Sequence, residues 1–252
     1  PERVVAAVNS AKAQLLAAGN KAVLITGLPS AEAQAMALRA NAESVVMDAE
    51  RPRLTRQGNS AEVASVMQGV LNGTVKGMIT VGVDPVYSFP NSAKFADAYS
   101  KLEMKLAFAS KKDATAELSY MFAATPHYLE SWGDAQIKKG AFSLMQPTIR
   151  PLFSTRQFQD TLLQWTGNSK NYYDYIKDTW TDVLDGSSWN KVLQAGVLSS
   201  NAQVESEANS VSEEFVSKTS NGALSTLQDG GLELTLYTKT GLGDGQQANN
   251  PW

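Results

Sequence analysis

The chain has 252 residues, 43% of them hydrophobic and 19% charged, with a formal net charge of -3. That is enough length and apolar material to bury a sizeable core in one large domain or two small ones, and it excludes disorder except locally. Its 22 basic residues are scattered, with no aromatic-interleaved basic patch, which excludes nucleic acid as a partner; the absence of Cys excludes thiolate nucleophiles, disulfides and Cys-ligated iron–sulfur or zinc sites within these residues.

No apolar run approaches the roughly 18 residues that span a bilayer. The opening Pro1-Glu2-Arg3 has neither a hydrophobic signal core nor an initiator Met, so the chain reads as a soluble piece of something longer.

In chain order, Val4, Val8, Ala11 and Leu15 mark one helical face, closed by Gly19-Asn20. Ala22 to Thr26 is short, continuous and apolar, the pattern of a strand covered on both faces, and Thr26-Gly27-Leu28-Pro29-Ser30 then turns into a helix. Val45-Val46-Met47 is a second strand candidate. Ser60-Ala61-Glu62 opens a helix whose Val63, Val66, Met67 and Val70 face inward before Gly73 ends it. Met78 to Val81 is a third strand, Asn91-Ser92 caps a helix carrying Phe95, Ala98, Tyr99 and Leu102, and Met104 to Phe108 is a fourth strand.

Leu118 to Ala123 is a fifth strand candidate, and Ala141 to Gln146 is extended before Pro147 and Pro151 interrupt regular structure. From Ser154 to about Ala195 the chain reads as helices rich in Trp165, Tyr172, Tyr173, Tyr175, Trp180 and Trp189, either core or a partner surface. Ser199 to Gly231 is polar, with some helix around Val211 to Val216, and Leu232 to Tyr237 is a late strand. The alternation predicts an α/β fold with a parallel Rossmann-like sheet and helices on both faces. Residues 1–153 form that core, and 154–252 are a helical and irregular extension packed on it as one compact unit.

Four groups are candidates for chemistry. The turn Thr26-Gly27-Leu28-Pro29-Ser30 sets backbone N–H groups and a helix start after a strand, where a phosphate is stabilised, although an ordinary strand-to-helix turn is the stronger reading without the three-glycine fingerprint. Gly82-Val83-Asp84-Pro85 follows the third strand, where open α/β sheets bind ligands; Asp84 suits a ribose or guanine-like group, although a turn before Pro is the stronger reading. His127 is the single histidine, with Glu130 and Asp134 nearby, and one histidine cannot build a multi-His metal site, so a hydrogen-bonding role is favoured. Gly241-Leu242-Gly243-Asp244-Gly245 is glycine-dense, but no apolar helix follows it, so it is not a phosphate loop.

Several of these segments form an ordered series: Gly82-Val83-Asp84-Pro85, Phe89-Pro90, Ala107-Phe108-Ala109, Lys112-Asp113-Ala114-Thr115-Ala116, then Leu129-Glu130-Ser131-Trp132-Gly133-Asp134. The series resembles the molybdopterin oxidoreductase family, whose members place a Gly-x-Asn-Pro turn, a threonine-containing acidic helix start and a Glu-x-x-Gly loop in this order. Phe142 to Arg150, with Gln146-Pro147-Thr148-Ile149, and the ending Asp244 to Trp252 look like the large iron–sulfur-plus-molybdopterin-like subunit of alternative complex III. The resemblance covers most of residues 20 to 165 and the last fifteen or so.

That resemblance implies a quinol-oxidising assembly on the periplasmic side of a bacterial inner membrane, in which a parent chain carries iron–sulfur clusters while this region scaffolds and holds no molybdenum cofactor. Asp84 stands where the family has Asn, setting a negative charge against an approaching phosphate. No Cys is available as a molybdenum ligand. Expected partners are other domains of the parent subunit and subunits of the complex, with membrane contact only through the complex. The alternative is a fragment of an active enzyme that binds a molybdopterin guanine dinucleotide through Thr26, Gly27, Ser30, Gly82, Asp84, Glu130 and Gly133; a small-molecule binding module unrelated to respiration is the third reading.

Overall fold

The computed structural model describes residues 2–28, 30–48, 51, 53–55, 58–200, 214, 216–219, 237, 239–241 and 243. The chain divides into two units, Pro1–Pro52 with Glu205–Tyr237, and Arg53–Val204 with Thr238–Trp252. The expected strand at Leu232 to Tyr237, most of the helix around Val211 to Val216 and the ending Asp244 to Trp252 lie outside the described residues.

In the first unit, helix α1 (Glu2–Ala18) forms where its periodicity predicts, and its chain turns at Gly19, whose φ of 56° suits a residue without Cβ. The face marked by Val4, Val8, Ala11 and Leu15 is not buried: Val4 and Val8 are more than half exposed, Leu15 is 38% exposed, and α1 buries no residue. Periodicity specifies a helix, not its partner. Helix α2 (Ala31–Ala40) is capped by Ser30, whose side chain accepts from Ala33 N–H at 3.0 Å.

Ala22 to Thr26 and Val45 to Met47 were expected as strands and are not. The reason is visible in the hydrogen bonds. Asn41 Oδ1 accepts from Leu24 N–H at 2.7 Å while Asn41 Nδ2 donates to Leu24 O at 2.8 Å, so one carboxamide supplies both bonds a neighbouring strand would supply. Ser44 Oγ donates to Ala22 O at 2.7 Å, and Val45 N–H to Asn20 O at 2.9 Å, which holds 45–47 in a turn.

The second unit carries the α/β core. Helix α3 (Ser60–Leu71) starts at Asn59, whose side chain accepts from Ala61 and Glu62 N–H. Strand β1 (Gly77–Val81), helices α4 (Pro85–Ser88) and α5 (Ser92–Ser100), strand β2 (Met104–Ala109), helix α6 (Ala114–Glu117) and strand β3 (Met121–Ala124) follow. The strands form a parallel sheet in the order β1-β2-β3, with Val81 beside Phe108 and Phe108 beside Ala123.

Because side chains alternate across a strand, the two faces separate cleanly. On one face Met78 packs against a cluster of Val70 from α3, Phe95 and Tyr99 from α5, and Leu102; Phe95 and Tyr99 are fully buried. The opposite face presents Phe108, whose ring centroid lies 4.8 Å from Phe158 and 6.0 Å from Trp165. Those rings belong to helix α7 (Phe158–Trp165). The sheet is thus flanked by helices, as the α/β reading requires. Val63 and Val66 of α3, expected inward, are each 44% exposed; only Met67 and Val70 of that set reach the core.

A second sheet was not anticipated. Strands β4 (Gly133–Lys138) and β5 (Ala141–Met145) form an antiparallel hairpin, and β6 (Val197–Ser199) adds to β5. Between β5 and β6 run α7, then α8 (Tyr172–Thr179) and α9 (Trp189–Ala195). Phe142, Ile176, Trp180, Val183, Trp189 and Val192 bury one another beneath this sheet. The aromatic-rich stretch is therefore largely core: Trp180 is 2% exposed and Trp189 8%, though Trp165 stays 53% exposed. Among the described residues, no helix is long and apolar enough to cross a membrane.

Candidate functional site at the strand ends

A cavity of about 580 Å³ opens at the carboxyl end of β1, where Val81 and Gly82 meet Thr125 and Pro126 beyond β3. Ligands of open parallel sheets bind in this position because loops diverge there and backbone groups leave the ladder. Gly82 has a φ of 65°, a left-handed conformation that a side chain would strain. The remaining wall comes from Trp132, Gly133 and Asp134 entering β4, from Leu144 and Met145 of β5, and from Phe158 and Tyr172 at the starts of α7 and α8.

Asp134 anchors this wall. Its Oδ2 accepts from Trp180 Nε1 at 2.8 Å across 46 residues of sequence, and its charge acts on the Tyr172 phenol. Burial, reinforced by the charge of Asp134 and by Tyr175 and Asp160, pushes the Tyr172 phenol up to about 12. Since the unfolded phenol ionises near 10, the native chain alone keeps this proton between 10 and about 12. The stability contributed is full below pH 10 and is lost as pH rises through that window. Urea unfolding at several pH values from about 9 to 11 should show a steeper alkaline decline for the wild type than for Tyr172→Phe; equal slopes would contradict the assignment.

The sequence candidates fall into separate places. Gly82 and Gly133 line the cavity. Asp84, by contrast, is engaged within the fold: Oδ1 accepts from Thr115 N–H at 3.0 Å and Thr115 Oγ1 at 2.6 Å, Oδ2 from Ala114 N–H at 3.3 Å, and Asp84 also caps α4. Glu130 is buried and accepts from His127 N–H at 3.2 Å and Leu152 N–H at 3.3 Å. Thr26, Gly27 and Ser30 belong to the first unit, where Thr26 Oγ1 accepts from Leu28 N–H at 3.2 Å and the Gln34 side chain donates to Thr26 O and Leu28 O.

His127 takes the hydrogen-bonding role that its isolation favoured: Nδ1 accepts from Leu129 N–H at 3.3 Å, starting a 3₁₀ turn closed by Glu130. Glu130 and Asp134 do not converge on it, since the one holds backbone and the other holds Trp180. Sequence reasoning named Asp134 only as a neighbour of His127 and missed its partnership with Tyr172 and Trp180. No short-range signal could have revealed it. Gly243 N–H donates to Lys239 O at 2.7 Å, making the described part of the glycine-dense segment a local turn.

A pyranopterin guanine dinucleotide carries a pyrophosphate, which calls for cationic side chains or converging free N–H groups. Among the described residues lining the cavity, Asp134 is the one charged side chain, and no Lys, Arg or His accompanies it. These residues do not fit a pyrophosphate. Among the described residues, no group of three or more His, Cys, Asp or Glu could hold a metal ion.

No family model matches the chain. It is 28% identical over 139 residues, 51% of its length, to the menaquinone reductase, molybdopterin-binding-like subunit of Nitratidesulfovibrio vulgaris, and the match spans 20% of that protein. Acetylene hydratase from Pelobacter acetylenicus superposes at a TM-score of 0.43 with 12% identity, over 61% of this chain and 23% of that one. Through the first of these, the chain has a molybdopterin-oxidoreductase-like relation in sequence, in line with the order of its motifs.

Proposed function

We propose that this chain is a cofactor-free, molybdopterin-oxidoreductase-like domain that scaffolds the electron-transfer subunit of a quinol-oxidising complex of the alternative complex III type. The observation that carries the reading is the charge of the strand-end cavity, whose described lining holds one carboxylate and no cation. That balance disfavours a phosphate-bearing cofactor. Both carboxylate oxygens of Asp84 are taken by Ala114 and Thr115, leaving its turn as an internal brace. The similarity to a menaquinone reductase subunit supports a role in quinone-linked electron transfer.

On this reading the iron–sulfur clusters lie in other parts of the parent chain, the partners are its other domains and neighbouring subunits, and the assembly sits on the periplasmic face of a bacterial inner membrane. The domain by itself is colourless and electrochemically silent. The competing reading, a domain that binds a molybdopterin guanine dinucleotide, draws on Gly82 and Gly133 lining one cavity. Calorimetric titration with guanosine diphosphate separates the two, since it carries the base and pyrophosphate of the dinucleotide. No binding tighter than about 1 mM is expected; a micromolar constant abolished by Gly82→Val would favour the cofactor site.

A further inference from the structure

The lining of the strand-end cavity has a chemical character of its own. Tyr128, Trp132, Phe158 and Tyr172 contribute aromatic rings, and Asp134 contributes an exposed carboxylate. Trp132 is held rigidly: its N–H donates to Gln157 Oε1 at 3.0 Å, Gln157 Nε2 donates to its carbonyl at 2.8 Å, and its ring lies 4.5 Å from Tyr173. Asp134 is likewise oriented by Trp180, whose indole N–H occupies one of the roughly four lone-pair sites a carboxylate offers. The other sites remain open to a donor entering the cavity.

We propose that this cavity receives a guanidinium group, stacked on its aromatic faces and hydrogen-bonded to the Asp134 carboxylate. A guanidinium is planar and weakly hydrated, presents paired N–H donors and stacks on aromatic rings, whereas an ammonium is compact and strongly hydrated. Burial first, and then the charges of Asp134 and Asp160, hold the proton on the neighbouring Tyr172 phenol, in keeping with a site that carries negative charge. A volume of about 580 Å³ lies within the usual range for ligand pockets and accommodates an arginine side chain with part of its backbone. The inference goes beyond the respiratory reading and does not depend on it.

The test uses the full 252-residue chain and follows the Trp132 and Trp180 indole N–H signals by NMR during titration with N-acetylarginine amide. Two controls carry similar donors without the charge: N-acetylcitrulline amide and guanosine. Saturable shifts with the arginine probe, at least about tenfold weaker with both controls, are expected. Asp134→Asn, which keeps an oxygen for Trp180, should weaken the arginine probe by at least about tenfold. Citrulline or guanosine matching arginine, an unchanged affinity in Asp134→Asn, or no shift of either indole would overturn the proposal, and the control arms need no variant. An arginine-containing peptide that binds more tightly than methylguanidinium supports a partner protein as the source; equal affinity supports a free small molecule.

Discussion

Trp180→Ala is expected to destabilise the second unit by about 3–5 kcal/mol, the range for removing a large ring from a packed core. Trp180 is 2% exposed and lies centrally in its cluster: its ring is 5.9 Å from Phe142 of β5 and 6.1 Å from Trp189 of α9, so it ties the antiparallel sheet to the helices behind it. The truncation also leaves Asp134 without its indole donor. Trp180→Phe keeps one six-membered ring but loses the fused pyrrole ring and its N–H donor, so it should cost less than alanine, about 2–3 kcal/mol. Urea unfolding of both variants measures the difference. An alanine variant within about 1 kcal/mol of wild type would mean that the aromatic stretch is not the core of this unit.

Asp84→Ala should cost about 3 kcal/mol, whereas Asp84→Asn should cost about 1 kcal/mol or less. The asymmetry follows from which oxygen does what. Oδ1 takes Thr115 N–H, Thr115 Oγ1 and Tyr87 N–H, and Oδ2 takes only Ala114 N–H at 3.3 Å. A carboxamide oxygen can replace Oδ1, so asparagine keeps the important contacts. Alanine keeps none, and Thr115 is fully buried with its hydroxyl also accepting from Val86 N–H at 3.0 Å. Its donors would be left without an acceptor in a place water does not reach. Equal losses for the two variants would show that the charge of Asp84, and not its hydrogen-bonding pattern, matters.

What was legible in the sequence depended on range. Strands β1 and β2 were evident because their apolar runs are bounded by turn residues, and the packing of Phe95, Tyr99 and Leu102 followed from helical spacing. Ala22 to Thr26 has the same apolar character, yet Asn41, 17 residues away from Leu24, satisfies its backbone instead of a strand. Composition cannot distinguish those outcomes. The β4–β5–β6 sheet escaped notice because β6 is three residues long and joins β5 only after three intervening helices.

The site shows the same division. Gly82 and Gly133 could be nominated from motif and position, and both line the cavity. Asp84 and Glu130 could be nominated too, but whether a carboxylate faces a ligand or its own backbone depends on donors such as Thr115 and Leu152, 31 and 22 residues away. The reverse failure is Asp134, unremarkable in sequence and central to the cavity because Trp180 and Tyr172 are folded onto it.

The central claim is that the domain works as a scaffold without a pterin cofactor. Elemental and pterin analysis of the natively purified full-length subunit tests it most directly, with molybdenum, tungsten, iron and pterin measured on one sample. Iron without molybdenum, tungsten or pterin is the predicted result. Stoichiometric molybdenum or tungsten together with pterin would contradict it and make the strand-end cavity a working cofactor site.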